Sequence, residues 1–522
     1  MSSFSGKESL YFYWHEKSLS IAKDIVDKEV VGEIFKDNEV FDKYYKQYLC
    51  SKIANEIRPL IQSDGFCDNL IPKNRRFNAK HERLLSGYRY MRSVMVRAYA
   101  IYYIILLLVK GLLKIRQSER KKCNVIFFPH HKDWLEDPEL GCLLKNITDS
   151  KVVLSNRDLL AEELEDNQIL NDKVFYFKVS DLTHIFKALT GTIRGFFSRK
   201  EIYDALAMYL YKKSYYIALL NVVSPSLIVS VRGDTLQDSS ILRSVANNRN
   251  VPVFSWSHAV YCYLEHYLSG VDFDYYAASN PFELLLYKKY WSKECVYSFI
   301  GQASYPSIGN ISLNTSELDR LDGSNGIFST TIDSRVLSNT LDNYSDFVDA
   351  VVLSSNSIAG GFFYKSKNNY KIERGEIIGH EAQQAEEYAL SKFHLIGDKF
   401  EIIKDGITVK DVVPFINIAF VYSLSTVAFE LIQEKVKVII FWPLVPEEFP
   451  LSKILPLLVA KDANEMINNA LLLDKMSARD YAEYLTPYFD NLSFSMSDER
   501  SMLLQAIDNT LEDINKKDCV FG

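Results

Sequence analysis

The sequence lacks the cysteine patterns that mark zinc sites and disulfide frameworks. Seven cysteines are spread over 522 residues, and none forms a C-x-x-C pair, so neither a zinc site nor a redox motif is predicted. An odd number of scattered cysteines fits a reducing compartment. The N-terminus also lacks the basic-then-apolar layout of a signal peptide. These absences together favour a cytoplasmic protein.

Common catalytic and metal-binding motifs are missing as well. There is no Walker loop, G-x-S-x-G elbow or H-E-x-x-H motif. The adjacent histidines of Pro129-His130-His131 make a poor chelate, and the D-x-D pattern occurs only as Asp272-Phe273-Asp274, inside a strand-like run. No metal and no cofactor are therefore expected. The formal net charge of −7 argues against a general nucleic-acid binder.

No apolar run is long enough to span a membrane, since a spanning helix needs about 20 residues. The longest candidate, Ala98 to Val109, has 12 residues. Basic residues flank it: Arg92, Arg97, Lys110, Lys114, Arg116, Arg120, Lys121 and Lys122. A tyrosine-rich helix with this flanking charge suits a membrane interface, so residues 98–116 are a candidate for peripheral membrane contact. A buried core helix with a solvated basic end is the alternative.

Most of the sequence alternates between short apolar runs and helical patterns, after a mostly helical region at about 16–121. The predicted strands are 124–128, 151–154, 173–177, 226–231, 251–255, 349–355, 376–381, 399–405, 416–423 and 436–441. Such alternation predicts parallel sheets covered on both faces.

Residues 303–345 are polar and rich in turn residues, which indicates a linker. We therefore expect two α/β domains, an N-terminal one at 1–310 that includes the helical region and a C-terminal one at 346–522. A ligand would bind between them, at the carboxyl ends of parallel strands.

The first candidate site lies in the stretch SLIVSVRGDTLQDSSILRSVANNRNVPVFSWSHA. Arg232 and Asp234 follow one predicted strand, and Ser257 and His258 follow the next. Parallel strands end at the same edge of a sheet, so these residues would face one crevice. A carboxylate beside an imidazole can act as acid, base or nucleophile. The alternatives are a helix-capping role for Asp234 and an ordinary loop position for His258.

The second candidate site lies in INIAFVYSLSTVAFELIQEKVKVIIF, where Ser423, Ser425 and Thr426 form a hydroxyl-rich turn between a strand and a helix. The free N–H groups of a helix start attract phosphate, and the hydroxyls add donors. Glu430, one helical turn further on, is placed to accept hydrogen bonds from ribose hydroxyls. Plain helix capping is the alternative. His380, at the predicted strand end Ile377–Glu381, is a further candidate for contacting a phosphate oxygen.

These two stretches resemble the paired motifs of the GT-B glycosyltransferase superfamily. The resemblance implies two Rossmann-like domains that face a central cleft. Within that superfamily the Ser-Leu-Ser-Thr turn is most similar to enzymes that use CMP-linked acidic sugars, and the layout resembles bacterial retaining β-Kdo transferases of capsule and O-antigen synthesis. The chain departs from the superfamily pattern at Ser257, Ala259 and Gly379-His380-Glu381.

The resemblance implies a role for each candidate residue. Asp234 would be the catalytic nucleophile, with His258 as acid/base or substrate contact, and Arg232 and Ser257 would bind substrate. Ser423, Ser425, Thr426, Glu430 and His380 would bind the nucleotide, with CMP-Kdo as the donor and no metal required. The acceptor would be a surface-polysaccharide or lipid-linked glycan, met on the cytoplasmic face of the inner membrane.

Three other functions stay open at this point. In the first, the protein is a GT-B transferase whose donor is a UDP-sugar, a GDP-sugar or a polyol-phosphate. In the second, of a different class, the protein is a non-catalytic subunit of a polysaccharide assembly complex. A nucleotide-sugar 2-epimerase is the third, and it would leave the membrane-like helix unexplained.

Overall fold

The residues described by the structure, a computed structural model, form two parallel β-sheets. The structure describes residues 94–109, 121–129, 150–154, 169–171, 202–231, 239–256, 273–279, 295–300, 319–329, 341–365, 371–373, 376–378, 380–403, 409–443, 450–490 and 502–521, with single residues among 143–147 and 185–196 and at 407 and 445.

The first sheet has seven strands, in the spatial order β3-β2-β1-β4-β5-β6-β7. They are β1 (Lys121–Pro129), β2 (Ser150–Leu154), β3 (Ile169–Asn171), β4 (Val223–Val231), β5 (Val253–Trp256), β6 (Tyr275–Ala278) and β7 (Val296–Phe299). Every neighbouring pair is parallel. The central strands are continuously apolar because helices cover both faces of such a sheet: Val125 to Phe127 and Leu227 to Val229 are fully buried.

The second sheet has six strands, in the spatial order β12-β9-β8-β13-β14-β15, all parallel. They are β8 (Ser324–Phe328), β9 (Phe362–Lys365), β12 (Phe400–Ile402), β13 (Ile416–Tyr422), β14 (Lys437–Phe441) and β15 (Val459–Ala460). A separate antiparallel hairpin joins β10 (Lys371–Glu373) to β11 (Glu376–Ile378). Ile418 to Tyr422 and Val438 to Ile440 are fully buried, so β13 and β14 form the centre of this domain's core.

Both sheets have the strand order of a Rossmann fold. Numbered by succession along the chain, the first sheet runs 3-2-1-4-5-6-7 and the second, without the hairpin, runs 3-2-1-4-5-6. The predicted α/β class with two Rossmann-like units is confirmed. The order reverses between β1 and β4 in the first sheet and between β8 and β13 in the second. Ligands of doubly wound sheets bind at such switch points, outside the carboxyl ends of the strands.

Twelve helices are found among the described residues. They are α1 (residues 94–109), α2 (Ile202–Val222), α3 (Ser239–Asn247), α4 (Leu341–Ser354), α5 (His380–Phe393), α6 (Val409–Val412), α7 (Thr426–Gln433), α8 (Pro450–Ile454), α9 (Ala463–Lys475), α10 (Ala478–Tyr484), α11 (Thr486–Phe489) and α12 (Met502–Phe521). Residues 143, 146, 185, 186, 189, 190, 192 and 193 are also helical. None of these described helices has the length and hydropathy needed to cross a bilayer.

The C-terminal helix α12 packs against the first sheet. Leu503 and Ile507 share one core cluster with Val125, Val229 and Phe254. The first sheet also contacts the part of the chain that carries the second sheet. Phe299, the last residue of β7, makes an edge-to-face contact with Tyr488 of α11, with ring centroids 5.6 Å apart. Helix α12, which follows the second sheet in the sequence, therefore packs on the first sheet.

Most of the predicted strands fall on observed ones, including 124–128, 226–231, 416–423 and 436–441. The strand predicted at 349–355 is wrong, because these residues belong to helix α4 and its end. The apolar run Ala350-Val351-Val352-Leu353 suggests a strand by itself. The buried positions Tyr344, Phe347, Val348 and Val351 follow the spacing of a helix instead. The strand predicted at 173–177 lies outside the described residues.

The linker predicted at 303–345 is wrong for Ser324–Phe328, which forms the buried strand β8 in the middle of the second sheet. Its sequence SNGIF has the composition of a turn. Asn325 is nevertheless buried, and its side-chain amide donates to the carbonyl oxygens of Ala359 and Gly361 at 2.9 and 3.2 Å. A Cβ on Gly326 would lie 2.7 and 2.9 Å from the rings of Phe328 and Phe363, which explains the glycine. The domain limits 1–310 and 346–522 stay predictions.

Candidate functional site

The predicted hydroxyl turn lies at the carboxyl edge of the second sheet, beside its switch point. β13 ends at Tyr422, the turn Ser423 to Ser425 follows, and α7 begins at Thr426. β13 is the strand next to β8, where the strand order reverses. The prediction of a strand, a hydroxyl turn and a helix start at this edge is therefore confirmed as local structure, while the ligand-binding roles of its residues stay predictions.

Ser423 combines an unusual backbone with an unpartnered hydroxyl. Its φ is 58°, in the left-handed region that non-glycine residues seldom adopt. Its backbone N–H donates to the carbonyl oxygen of Phe441 at 2.9 Å, which ties the turn to β14. The residue is 1% exposed, and its Oγ has no hydrogen-bond partner. A buried hydroxyl without a partner costs about 1–3 kcal/mol, so it calls for an explanation.

Ser425 occupies the N-cap position of α7 but does not cap the helix with its side chain. Its backbone is extended, with φ −138° and ψ 162°, and its carbonyl oxygen accepts the N–H of Ala428 at 3.1 Å. Its Oγ is buried and has no hydrogen-bond partner. The capping alternative therefore fails for Ser425 in this structure. The start of α7 therefore keeps the capacity of a helix N-terminus to bind an anion.

Two unpartnered hydroxyls thus stand two residues apart at the positive end of a helix. The helix dipole favours a negative charge near this end, and each hydroxyl can donate to an anionic oxygen. Glu430 lies one turn further along the same helix as Thr426 and is half-buried. The arrangement can bind a phosphate at the turn, with a carboxylate further along the helix.

His380 is the first residue of α5, directly after the β10–β11 hairpin, rather than the exposed end of a strand. α5 lies in the connection between β9 and β12. A helix that connects parallel strands runs back from their carboxyl edge, so its start lies on that side of the sheet. His380 is therefore placed at the edge that carries the hydroxyl turn.

Three tyrosines form a buried cluster under this edge. The hydroxyl groups of Tyr344 in α4 and Tyr364 in β9 share a hydrogen bond of 3.2 Å. The centroid of the Tyr344 ring lies 4.9 Å from the centroid of the Tyr422 ring. Burial is the main reason that the pKa values of Tyr344 and Tyr422 are raised above the ordinary tyrosine value. The neighbouring carboxyl of Asp346 has a raised pKa too, first through burial and then through Asp342 and Asp349. Tyr344 and Tyr422 therefore stay uncharged at neutral pH, and the three tyrosines form a floor beneath the turn.

Sequence reasoning missed this floor because it assigned α4 to a linker and a strand. The signal was available in the spacing of Tyr344, Phe347, Val348 and Val351, once the window is extended back to Leu341. Neither Tyr364 nor its contact with α4 is indicated by any local pattern.

The residues predicted at the first sheet, Arg232, Asp234, Ser257 and His258, lie outside the described residues. The strands that lead to them are described. β4 ends at Val231 and β5 at Trp256, and the two pair in parallel with Ser230 opposite Ser255. β4 also pairs with β1 at the switch point of this sheet, with Val231 opposite Pro129. The two predicted segments therefore leave neighbouring strands at one edge, and the roles of their side chains stay predictions.

The D-x-D pattern has a structural role at Asp274. Its carboxylate pairs with Arg243 of α3 and accepts the N–H of Val253 at 2.7 Å. Asp274 precedes β6, so it lies at the amino edge of the sheet, opposite the side where ligands bind. Among the described residues no group of three His, Cys, Asp or Glu side chains is close enough to hold a metal.

No protein-family model matches the chain, and no curated protein sequence matches it. Solved structures do. A UGT transferase from Siraitia grosvenorii in complex with UDP matches with 10% identity and a TM-score of 0.45, covering 76% of this chain and 100% of that one. Sucrose-phosphate synthase from Thermosynechococcus elongatus matches with 13% identity and a TM-score of 0.43, covering 77% and 100%.

The wall teichoic acid polymerase TagF, in a form with CDPG, matches with 12% identity and a TM-score of 0.37, covering 84% of this chain and 99% of that one. All three TM-scores lie below 0.5, so none of these matches identifies the function of this chain.

Proposed function

We propose that the protein is a GT-B glycosyltransferase that takes a sugar from a nucleotide-sugar donor. The observation that carries the proposal is the pair of buried, unpartnered hydroxyls of Ser423 and Ser425 at the start of α7. They lie beside the switch point of a 3-2-1-4-5-6 sheet, where such sheets bind nucleotides. A bound phosphate would give both hydroxyls an acceptor and would meet the positive end of the helix.

The second sheet would hold the donor. Ser423, Ser425 and Thr426 bind the phosphate in this proposal, and Glu430 accepts hydrogen bonds from the ribose. His380, at the same edge, donates to a phosphate oxygen. Donor binding at one sheet and acceptor binding at the other fits a chain built of two Rossmann-like units.

The first sheet would carry the chemistry. The Asp234 carboxylate attacks the anomeric carbon of the sugar as the bond from that carbon to the phosphate oxygen breaks, and the nucleotide leaves with the bonding electrons. The acceptor hydroxyl then attacks the same carbon and releases the carboxylate, and His258 takes the hydroxyl proton. Arg232 balances an acidic group on the sugar, and Ser257 contacts the substrate.

CMP-Kdo is the donor that the resemblance of the Ser-Leu-Ser-Thr turn favours. CMP leaves as a monophosphate, so its departure does not require a divalent metal to neutralise a diphosphate. The acceptor in this proposal is a surface-polysaccharide or lipid-linked glycan, met at the cytoplasmic face of the membrane.

Protection against thermal unfolding by CMP, UDP, GDP and CDP tests the donor site. The proposal expects CMP to raise the melting temperature most. Ser423→Ala and Ser425→Ala should each weaken CMP binding about tenfold, because a hydrogen bond to a charged group contributes about 1.5–3 kcal/mol. Ser354→Ala is the matched control, since its buried hydroxyl already donates to the Ala350 carbonyl oxygen at 2.8 Å. Equal CMP binding by all three variants would overturn the assignment of the turn, and stronger protection by another nucleotide would change the donor.

Intact-protein mass measurement tests the covalent step. The wild-type protein and Asp234→Asn are each incubated with a panel of activated sugars. A mass increase of one sugar in the wild type and none in the variant supports Asp234 as the nucleophile. An adduct that persists in Asp234→Asn places the nucleophile elsewhere.

A further inference from the structure

Helix α1 has apolar side chains on both of its faces. Its inner face is part of the first domain's core, where Ala100, Ile104, Leu107 and Leu108 are buried. Arg97 is on this inner side as well: it is fully buried, and its guanidinium donates to the carbonyl oxygen of Phe196 at 2.9 Å. Arg97 was expected to be one of the basic flanks facing lipid, and this expectation is wrong.

The outer face of α1 is exposed and equally apolar. It consists of Met95, Tyr99, Tyr102, Ile105 and Val109, with Met95 67% and Tyr102 60% exposed. At 3.6 residues per turn these five positions fall within an arc of about 120°. A helix that is apolar all round is normally buried or in contact with a membrane. We call these five residues the α1 outer face.

The segment next to α1 also exposes large apolar side chains. Phe186 and Ile193 are 54% and 53% exposed, although Ile185 and Thr192 beside them are buried. The bond from Arg97 to Phe196 ties this segment to α1. Tyr211 of α2 packs against Tyr99 and Tyr103 of α1, with ring centroids 6.1 and 5.4 Å apart. The outer face of α1 is thus a fixed part of the first domain's surface.

The charge of the surrounding sequence identifies the kind of partner. Residues 73–122 contain 14 Lys or Arg and only 2 Asp or Glu, a formal charge of +12, and no acidic residue lies between Glu82 and Glu119. Because the whole chain carries −7, the remainder carries −19. An acidic protein whose positive charge is concentrated in the sequence on either side of one exposed apolar helix has the pattern of a helix that lies flat on anionic lipid.

We propose that the α1 outer face docks the protein onto an anionic lipid bilayer, with α1 parallel to the membrane plane. The exposed tyrosines suit this depth, since their rings enter the headgroup region while their hydroxyls stay hydrated. α1 does not cross the bilayer, because its inner face is committed to the first domain's core. The proposal concerns binding to lipid alone and stands apart from the choice of sugar donor.

The test is co-sedimentation of the full chain with vesicles, without nucleotide. Vesicles of pure phosphatidylcholine are compared with vesicles that contain about 30% phosphatidylglycerol, a composition chosen to supply the negative surface that polybasic segments recognise. The wild type should bind the anionic vesicles and should be released as ionic strength rises, because salt screens the attraction. Lys110→Gln and Lys114→Gln should each weaken binding about fivefold, since a lysine near an anionic surface contributes about 1 kcal/mol.

The double variant Tyr102→Ser with Ile105→Ser should weaken vesicle binding about tenfold or more, since partial burial of two large apolar side chains contributes at least about 1.4 kcal/mol. Leu395→Ser with Leu472→Ser is the matched control, because these two leucines are exposed on the other half of the molecule. The control should bind vesicles like the wild type. Unchanged melting temperatures check that both double variants fold.

Three results would overturn the proposal: no binding of the wild type to anionic vesicles, equal binding of the two double variants, or a vesicle-free dimer that Tyr102→Ser with Ile105→Ser abolishes. The dimer would assign the α1 outer face to a second copy of the chain. A failure here leaves the thermal-protection result for CMP unaffected, so the two proposals fail separately.

Discussion

Ser423 has a left-handed backbone conformation and a hydroxyl group without a hydrogen-bond partner. Both features destabilise the folded protein when no ligand is bound. Backbone strain at a non-glycine residue costs about 1–3 kcal/mol and persists where the surrounding structure enforces it. Here the N–H of Ser423 is fixed by the Phe441 carbonyl oxygen. A residue kept at such a cost points to a function for its side chain, which the nucleotide-binding proposal supplies.

Ser423→Gly should separate the two effects. Glycine removes the strain at φ 58°, so we expect the free energy of unfolding to rise or stay level, within about 1 kcal/mol. The hydroxyl is lost, so nucleotide binding should weaken about tenfold. Chemical denaturation and nucleotide titration measure the two quantities.

Lys435→Gly is the matched control, because Lys435 has a φ of 60° and is exposed beyond the end of α7. It should keep wild-type nucleotide binding, and its gain in stability should be smaller, because the Lys435 ammonium 5.7 Å from the Phe489 ring centroid is lost. Weakened binding in this control would show that backbone freedom, rather than the Ser423 hydroxyl, governs the site.

Asp274 illustrates why a short motif is a weak guide to function. The sequence places it in a D-x-D pattern, but its carboxylate links Arg243 and the Val253 N–H at the amino edge of the first sheet. Asp274→Asn should lower the free energy of unfolding by about 1–3 kcal/mol, because the partly buried guanidinium of Arg243 loses its negatively charged partner. Nucleotide binding should not change. Unaltered stability together with lost binding, measured by denaturation and titration, would contradict this structural role.

At the scale of helices and strands, the sequence was most informative where one face or both faces of an element are buried. The strands β4, β13 and β14 were predicted because continuous apolar runs mark strands covered on both sides. β8 was missed because its residues, Ser324–Phe328, have the composition of a turn. Its parallel pairing with β9 and β13, and the hydrogen bonds of Asn325 to the carbonyl oxygens of Ala359 and Gly361, hold that segment as a strand.

Helix α4 was predicted as a strand from four apolar residues, whereas its core face follows the helical spacing. The hydroxyl turn was found because its composition is local. The tyrosine cluster was not, since Tyr344, Tyr364 and Tyr422 come from three separate elements and meet only in the folded chain. Long-range contacts of this kind leave no periodic signal in the sequence.

The packing of α4 onto the second sheet should be sensitive to high pH. Burial raises the pKa of Tyr344 well above the ordinary tyrosine value of 10.0 and raises that of Tyr484 to about 12. Above pH 10 the unfolded chain loses these protons while the folded chain keeps them. The contribution of these two tyrosines to the free energy of unfolding is therefore constant below pH 10. It falls as pH rises above 10.

Tyr344→Phe should make that decline shallower, by about 1 kcal/mol between pH 10 and 11. Denaturant unfolding at pH 8, 10 and 11 measures the effect. The pH 8 value gives the separate cost of losing the bond to Tyr364. A decline equal to that of the wild type would show that Tyr344 ionises as readily in the folded protein as in the unfolded chain.

For the whole molecule, α12 is the element that returns the chain to its first sheet. Ile507 is fully buried in the cluster that contains Val229 and Phe254. Ile507→Ala should lower the free energy of unfolding by about 2–5 kcal/mol, the usual range for removing a large buried aliphatic side chain. Glu512→Ala on the same helix is the control, since its bond to Lys516 is exposed and should change stability by less than about 0.5 kcal/mol. Similar effects of the two variants on the denaturation midpoint would show that α12 does not stabilise the first sheet.

The two Rossmann-ordered sheets and the position of each predicted motif at a carboxyl edge define how the whole molecule would work. In the two proposals together, the second sheet would bind the nucleotide, the first would supply Asp234 and His258, and the α1 outer face would hold the protein at a bilayer that carries the acceptor. Each part is proposed from a different feature, so each can fail without the others.

A crystal structure of the protein with CMP tests the central claim most directly. The account predicts the CMP phosphate at the start of α7, within hydrogen-bond distance of the Ser423 and Ser425 hydroxyls, with the ribose near Glu430. Nucleotide bound at another place, with both hydroxyls still lacking a partner, would contradict it.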